Sequence, residues 1–295
     1  MKWRRVQNPD VIDRRGARSG GLGLPMGRGG AVGGGLGLVG VIVVIAIQLL
    51  GGGSGSAFDV DTGLGGGGSA PEQPVAIPPS EDPERDLKDF SAYVFTDAQK
   101  TWEQTFRRAG QPYEHARLVL YRDGVSTACG AASSAVGPFY CPGDQIVYLD
   151  LSFYGDMQSQ LGAGGDFAWA YVIAHEVGHH VQQQLGTSEE VRGLQRDQGD
   201  EANELSVRLE LQADCYSGVW AHTVYKEGDL EKGDVREAMR AAGAVGDDRL
   251  QRKATGSIDP DSFTHGTSEQ RRTWFEKGYE SGDPSACDTF SPDEI

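Results

Sequence analysis

Residues 173–179 read Ile-Ala-His-Glu-Val-Gly-His, and this heptapeptide restricts the possible folds of the chain more than any other segment. Two residues four apart on a helix lie about 40° apart around its axis, so a helix would let His175 and His179 reach one metal ion. Phe167–Leu185 contains no Pro, its apolar residues recur at helical spacing, and Gly186 provides an end signal. The sequence therefore predicts a helix here with both imidazoles on one face.

The residue types in this motif suit zinc-dependent hydrolysis. His-Glu-x-x-His on a helix supplies two zinc ligands, here His175 and His179, and Glu176 between them is placed to accept a proton as a general base. The pattern predicts one Zn²⁺ per chain. The alternative is a surface helix that carries this sequence by chance.

Gly178 inside the motif and His180 directly after it also predict structural features. Gly178 lies inside the predicted helix, where Gly costs about 1 kcal/mol relative to Ala, and the close approach of another element would explain its presence. His180 faces about 100° away from His179. We therefore interpret His180 as a residue behind the site or on the surface, and not as a ligand.

A catalytic zinc ion needs a third protein ligand, and the best candidate is Glu210. Apolar residues repeat at three- and four-residue spacing from Glu201 to Tyr225, which predicts a second helix. Glu210 and Asp214 lie on one face of it, where Glu210 would bind zinc and Asp214 would accept a hydrogen bond that orients a ligand imidazole. The alternative is a solvated helix face, because two acids at this spacing usually point to water.

These residues resemble known zinc peptidases. His175-Glu176-x-x-His179 with Glu210-x-x-x-Asp214 is similar to the gluzincin pattern of thermolysin-like enzymes. Residues 86–290 resemble a bacterial family of membrane-anchored neutral zinc metallopeptidases, through HEVGHH and the segments Cys129-Gly130, Phe139-Tyr140-Cys141-Pro142, Leu211-Gln212-Ala213-Asp214-Cys215 and Thr264-His265-Gly266-Thr267-Ser268. The resemblance implies the fold of a zinc-dependent endopeptidase.

His265 is the candidate for stabilising charge on the substrate. Hydrolysis of a peptide bond develops an oxyanion, which needs a hydrogen-bond donor. Phe263–Arg271 is similar to the Thr-His-Pro…Arg segment of integral-membrane zinc proteases of the CAAX-processing type, in which that His stabilises the transition state, although Gly266 replaces the Pro. Thr267 and Gln270 predict a capping box for a helix that begins there. The alternative is a His that only packs near a helix start.

The run Gln145–Leu151 is rich in β-branched and aromatic residues and predicts a strand. In enzymes resembling thermolysin, the strand at this position is the sheet edge along which an extended peptide lies. The resemblance therefore implies that this strand binds substrate through main-chain hydrogen bonds. An ordinary internal strand is the alternative.

The N-terminal region predicts a membrane anchor. The first thirty residues carry seven Lys or Arg against two Asp, whereas the whole chain has a formal net charge of −16. Residues 31–50 are uncharged and long enough to span a bilayer. We therefore expect a single-pass protein of the cell membrane, with a basic cytoplasmic segment at 1–30 and an uncleaved transmembrane helix at 31–50.

Composition after this segment predicts a tether and then one domain. Residues 51–85 are rich in Gly, Ser and Pro, which is typical of a linker. Residues 86–295 are enough to bury one core and form the predicted metallopeptidase domain outside the cytoplasm. The acidic domain has no basic stripe, so nucleic acid is not an expected partner.

Four cysteines fit an oxidising compartment and allow three pairings. Cys129 and Cys141 flank a short loop, which favours a bridge between them. Cys215 with Cys287 would tie the second predicted helix to the C-terminus. Free buried thiols are the alternative, and the absence of a Cys-x-x-Cys pair argues against a cysteine zinc cluster.

Together these features predict an α+β fold: a zincin-like metallopeptidase domain with a small sheet over the HEVGH helix and a mainly helical C-terminal half, preceded by one transmembrane helix. The predicted function is zinc-dependent hydrolysis of peptide or protein substrates. Two alternatives are a non-catalytic membrane-tethered zinc-binding protein of the cell envelope and a zinc amidase that acts on cell-wall peptides. The sequence does not indicate an oligomeric state.

Overall fold

A computed structural model of the chain describes residues 1–16, 77–133, 136–197 and 199–291. The described strands are β1 (Val11–Asp13), β2 (Arg117–Tyr121), β3 (Gly124–Thr127), β4 (Gly130–Ser133), β5 (Phe139–Cys141) and β6 (Ile146–Asp150). The described α-helices are α1 (Arg85–Arg108), α2 (Ser152–Ser159), α3 (Asp166–Leu185), α4 (Thr187–Asp197), α5 (Ala202–Glu227), α6 (Asp234–Ala244), α7 (Asp247–Thr255) and α8 (Ser268–Ser281). Most of the strands precede most of the helices, which is an α+β arrangement.

The main sheet contains four strands in the order β1-β2-β6-β5. β1, β2 and β6 are parallel, and β5 runs antiparallel to β6 at one edge, where it contacts α3. Every residue of β6 is buried, as expected for a strand covered on both faces. β6 matches the strand predicted over Gln145–Leu151, but it is internal. The edge strand beside α3 is β5.

Side chains of the sheet alternate between two hydrophobic clusters. The residues that join the main core, with α1, α3 and α5, are Leu118, Leu120, Val147 and Leu149. The residues that pack on the opposite face, beside the β3–β4 hairpin, are Val119, Tyr121, Phe139 and Tyr148. Because a slip of one residue would exchange these two sets, burial on both faces fixes the register of the strands.

Helix α3 lies at the centre of the main core and has almost the predicted bounds. Gly186 ends it in the left-handed conformation with φ of 82°, as a C-terminal Gly commonly does. At the other end, the Phe167 backbone N–H donates to Glu237 Oε2 at 3.2 Å. A carboxylate at this position also interacts favourably with the positive end of the helix dipole.

Helices α5 and α8 cross at very short distance because a glycine on each helix faces the backbone of the other helix. A Cβ on Gly278 would lie 2.0 Å from the Cys215 carbonyl oxygen, and a Cβ on Gly218 would lie 2.1 Å from the Phe275 carbonyl oxygen. No side chain fits at either position. This crossing places the start of α8, and the loop before it, against α5.

Residues 1–16 belong to the same folded body as the sheet and helices. β1 pairs in parallel with β2. Arg5 Nε donates to Asp89 at 2.7 Å, and Arg15 Nη2 donates to the buried carboxylate of Asp82 at 2.6 Å. Basic residues of the N-terminal segment are therefore partners of acids at the start of α1.

The predicted transmembrane helix and the single-pass location are wrong. Within the described part of the chain, no helix is long and apolar enough to cross a bilayer, and the predicted span, residues 31–50, lies outside the described residues. A single crossing there would put β1 and β2 on opposite sides of a membrane, whereas they pair in one sheet. The segment boundaries at residues 30, 50 and 85 stay predictions.

Both disulfides have the predicted pairing. Cys129–Cys141 ties the β3–β4 hairpin to the end of β5. Cys215–Cys287 ties α5 to the 3₁₀ turn Pro284–Cys287 across a sequence separation of 72 residues. Closing a loop of that length stabilises a fold by about 4 kcal/mol in the chain-entropy model.

Replacing Gly278 by Ala should lower the free energy of unfolding by about 3 kcal/mol, because the new methyl group would overlap the Cys215 carbonyl. Gly155→Ala in α2 is the control, since a Cβ there meets nothing within 4 Å. That change should raise the free energy of unfolding by about 0.5–1 kcal/mol, because Ala reduces the conformational entropy of the unfolded chain. Urea unfolding of both variants is the measurement, and equal effects would contradict the close crossing.

The ion pair of Asp82 and Arg15 predicts a specific dependence of stability on pH. Hydrogen bonds from Arg15 lower the pKa of Asp82 from 3.8 to about 2. A depressed folded-state pKa contributes stability that is present above pH 3.8 and is lost as the pH falls towards 2. We expect Asp82→Asn to lower the free energy of unfolding by about 1–3 kcal/mol at pH 6. The difference from the parent should shrink between pH 4 and 2, and a difference independent of pH would refute this origin.

Candidate metal centre

Three side chains from two helices converge at one point. His175 and His179 lie on α3, and Glu210 lies on α5. His175 Nε2 is 3.2 Å from Glu210 Oε2, and His179 Nε2 is 3.3 Å from Glu210 Oε1. One potential ligand atom of each residue lies within 4.8 Å of the other two. The structure thus brings together the three residues that the sequence predicts as metal ligands.

A close contact between α3 and α5 places Glu210 opposite the two histidines. Gly178 lies against Ala213, and a Cβ on Gly178 would be only 3.1 Å from the Ala213 carbonyl oxygen. This is the close approach that a Gly inside the motif predicts. Because Ala213 follows Glu210 by about one helical turn, the contact brings the carboxylate to the level of the imidazoles.

Asp214 orients His175 from behind. Its Oδ1 lies 2.9 Å from His175 Nδ1, so the Nε2 atom of that ring is left for a metal. Arg271 binds the same carboxylate, with Nε donating to Oδ2 at 2.8 Å and Nη2 donating to Oδ1 at 3.1 Å. The Tyr171 hydroxyl is a further donor to it. Although burial opposes the charged form, Arg271 and His175 lower the pKa of Asp214 below its usual value.

Gln182 orients His179 in the same way. His179 Nδ1 lies 2.8 Å from Gln182 Oε1. The Gln182 amide is fully buried and donates to the Leu209 carbonyl at 2.7 Å and to Gln212 Oε1 at 3.1 Å. Each candidate histidine ligand therefore has its second ring nitrogen held by a polar side chain, which fixes the ring orientation.

Glu176 lines the same cleft as the candidate ligands His175, His179 and Glu210. Burial raises the pKa of its carboxyl group above the usual value, against the opposing effects of His175, His179 and the backbone N–H of Tyr140. A carboxyl group with a raised pKa accepts a proton more readily than an exposed one. Its position and environment suit a group that exchanges protons.

His265 lines the same cleft from the loop before α8. Asp247 shapes this loop, because its Oδ2 accepts the backbone N–H groups of residues 264, 265 and 266 at 2.8, 2.7 and 3.2 Å. His265 Nδ1 also lies 3.5 Å from Asp247 Oδ1. Although burial favours the neutral ring, the carboxylates of Glu210 and Asp247 raise the pKa of His265 above its usual value.

His180 lies behind the site and is fully buried. Its Nε2 donates to the Glu114 carbonyl at 2.7 Å, so its Nδ1 accepts the hydrogen bond from the Tyr140 hydroxyl at 3.0 Å. Burial lowers the pKa of His180 to about 4, which keeps the ring neutral and this arrangement intact. His180 therefore joins α3 to the edge strand β5.

The three converging side chains fit zinc. Two imidazoles and one carboxylate form the donor set of a catalytic zinc site that keeps a position open for water. Although burial opposes it, Asp214 and Glu210 raise the pKa of His175 to about 10 when no metal is bound. A buried carboxylate beside two imidazoles is a site in which a divalent cation can replace a proton.

A cleft opens onto these groups and has mostly apolar walls. Its apolar lining includes Val136, Pro138, Phe139, Val172, Leu209 and Val245. The charged groups in it are few and lie around the candidate ligands, apart from Arg192 on α4. A concave apolar surface with a few convergent polar groups is typical of a substrate site.

Sequence reasoning missed several residues of this site. Tyr171 and Gln182 lie on α3 four residues before His175 and three residues after His179, so helical spacing alone was a usable signal for both. Asp247 gives no such signal, because it reaches His265 only through the tertiary fold. The resemblance of Phe263–Arg271 to a known segment includes Arg271 but predicts no role for it.

Comparison with known proteins agrees with the residue set of a zinc hydrolase. The profile of a family described as "Putative neutral zinc metallopeptidase" matches residues 1–290, and the chain belongs to this family. The uncharacterized protein YpfJ of Escherichia coli (strain K12) is 46% identical over 298 residues, which cover 98% of this chain and 99% of YpfJ. The uncharacterized protein Rv2575 of Mycobacterium tuberculosis (strain H37Rv) is 46% identical over 194 residues, 62% of this chain and 65% of Rv2575. No solved structure matches the chain significantly.

We expect Asp214→Asn to weaken zinc binding about 10–100-fold, because the amide no longer holds His175 by a charged hydrogen bond. Competition with a chromogenic chelator measures the affinity. Asp248→Asn is the control, since Asp248 binds Ser268 near the site and does not touch a candidate ligand. Equal zinc affinity in the parent and the Asp214 variant would contradict the orienting role.

Proposed function

We propose that the protein is a zinc-dependent endopeptidase. The observation that carries the proposal is that His175, His179 and Glu210 meet in a cleft that Glu176 and His265 also line. Membership of a family of neutral zinc metallopeptidases supports it. The proposed substrates are peptides or unfolded proteins.

His175, His179 and Glu210 would hold the metal ion, and hydrogen bonds from other side chains fix both imidazoles. Zinc in such a site supplies Lewis acidity, which lowers the pKa of water and polarises a carbonyl group. The hydrogen bonds of Asp214 and Gln182 occupy the Nδ1 atoms of His175 and His179. Both Nε2 atoms therefore face Glu210 and would bind the ion with little reorganisation of the rings.

Glu176 is the proposed general base. Its carboxylate takes a proton from the attacking water and then delivers that proton to the nitrogen of the leaving amine. Tyr140 of β5 lines the same cleft as Glu176, and its backbone N–H opposes part of the rise in the pKa of this carboxyl group. The proposed base and the edge strand therefore face the same cleft.

His265 is the proposed donor to the oxyanion. Its Nδ1 lies 2.9 Å from the Thr264 hydroxyl and faces Asp247, which leaves Nε2–H for the oxygen of the scissile carbonyl. Removing a hydrogen-bond donor to the oxyanion lowers kcat by about 10²–10³-fold. The raised pKa of His265 favours the ring form that carries both protons.

The edge strand β5 offers a binding mode for an extended substrate. Among the described strands, β5 pairs with β6 alone, and Phe139 and Tyr140 of β5 line the cleft. A peptide added beside β5 would be held by main-chain hydrogen bonds, which tolerate many side chains. We therefore assign the role expected of Gln145–Leu151 to β5. The two disulfides support action in an oxidising compartment.

The test is zinc content and hydrolysis of unfolded casein by the full chain and its Glu176→Gln variant. The variant should bind one zinc ion and lose about 10²–10⁴-fold in kcat, because it keeps the ligands and lacks the base. His265→Phe should lower kcat about 10²–10³-fold with little change in KM.

His115→Gln is the control for loss of an imidazole, because His115 lies on the surface outside the cleft. It should leave both zinc content and kcat unchanged. An unimpaired Glu176→Gln variant would defeat the assignment of the base. A parent protein that binds zinc and cuts no unfolded protein would defeat the proposed function.

A further inference from the structure

Arg192 is a cationic residue of the cleft that the proposed mechanism does not use. It lies on α4, which follows α3 directly, and it lines the same cleft as His179 and Glu210. Val172, one turn before His175, lines the cleft towards the other end of α3. Arg192 therefore flanks the candidate metal centre on the side where α3 ends.

Two hydrogen bonds to uncharged acceptors fix the Arg192 side chain. Nε donates to the Ser188 carbonyl at 3.1 Å, and Nη2 donates to Gln183 Oε1 at 3.2 Å. A guanidinium group has five N–H donors, so most of its donors remain for a ligand. Within the described ranges, no carboxylate forms an ion pair with it. The group is thus held in place but not neutralised.

The other guanidinium group of the cleft is different, because Arg271 is neutralised by Asp214. Glu210 lies among the candidate metal ligands, Glu176 lines the cleft beside them, and Asp247 accompanies His265. Arg192 therefore adds a positive charge that the rest of the cleft does not balance.

The surroundings of Arg192 do not cancel this charge. Its neighbours Glu189 and Glu190 on α4 are exposed and do not line the cleft. The whole chain carries a formal net charge of −16, so a positive cleft wall is a local departure from the general charge. In a partly buried cleft with apolar walls, such a charge is poorly screened and favours an anionic partner.

We infer that Arg192 is a specificity residue that binds a carboxylate side chain of the substrate, so that the enzyme prefers peptides with Asp or Glu on the α4 side of the scissile bond. This inference rests on the proposed peptidase function. A fixed guanidinium binds a carboxylate by two parallel charge-assisted hydrogen bonds, which a Lys or Ala side chain in the substrate cannot accept.

The experiment uses quenched fluorescent peptides of one sequence that carry Asp, Ala or Lys at each position around the cleaved bond. The full-length parent, loaded with zinc, should show at one position a kcat/KM about tenfold higher for Asp than for Lys. Arg192→Gln should abolish this preference, Arg192→Lys should keep part of it, and Arg192→Glu should reverse it.

Arg196→Glu is the matched control. Arg196 lies one turn further along α4, is exposed and does not line the cleft, so this variant has the same change in net charge and should keep the preference for Asp. Fluorescence anisotropy of the same peptides on Glu176→Gln and on the double variant Glu176→Gln/Arg192→Glu gives a second readout that needs no turnover. The Asp peptide should bind more weakly to the double variant by about tenfold.

The outcomes separate the two proposals. Cleavage by the parent without a preference for Asp, or a preference that Arg192→Gln retains, overturns the inference and leaves the peptidase function standing. Loss of the preference in Arg196→Glu would also overturn it, because general electrostatics would then be the cause. A parent that neither cuts nor binds any of the peptides overturns the peptidase function and the inference together.

Discussion

The contact between α3 and α5 at Gly178 determines the geometry of the candidate metal site. Because Gly178 has no side chain, the backbone of Ala213 can approach the HEVGH helix closely. Ala213 is the neighbour of Asp214 and lies about one turn after Glu210. A single contact between the helices therefore places both carboxylates within reach of His175. The candidate ligands therefore depend on helix packing and not on loops, and packed helices hold such groups most accurately.

The charges around the site form consecutive shells of opposite sign. The imidazole of His175 faces Glu210 on one side and Asp214 on the other, and Arg271 stands behind Asp214. Burying ions is costly, and the Arg271–Asp214 pair offsets this cost with two hydrogen bonds of good length. Because His175, His179 and Asp214 have their partners before substrate arrives, the proposed reaction would need little reorganisation of these side chains.

Local patterns were sufficient to predict the parts of the fold and of the site that depend on neighbours in sequence. Helical spacing located α3 and α5, and short motifs indicated the residues that converge and the capping box of α8. Features that depend on distant partners were not predictable in this way. The hydropathy of residues 31–50 carries no information about the pairing of β1 with β2, or about the hydrogen bonds of Arg15 to Asp82. Likewise, no pattern near His265 shows that Asp247 shapes its loop.

The position of β1 in the sheet has a consequence for the order of folding. Val11 pairs with Leu118, and β2 pairs in turn with β6, which ends at Asp150. Residues 11–13 are therefore synthesised before their partners, and contacts between segments so distant in sequence form slowly because closing a long loop costs entropy. β1 can dock only when β2 is available, so this segment waits for a strand that lies about a hundred residues further along the chain.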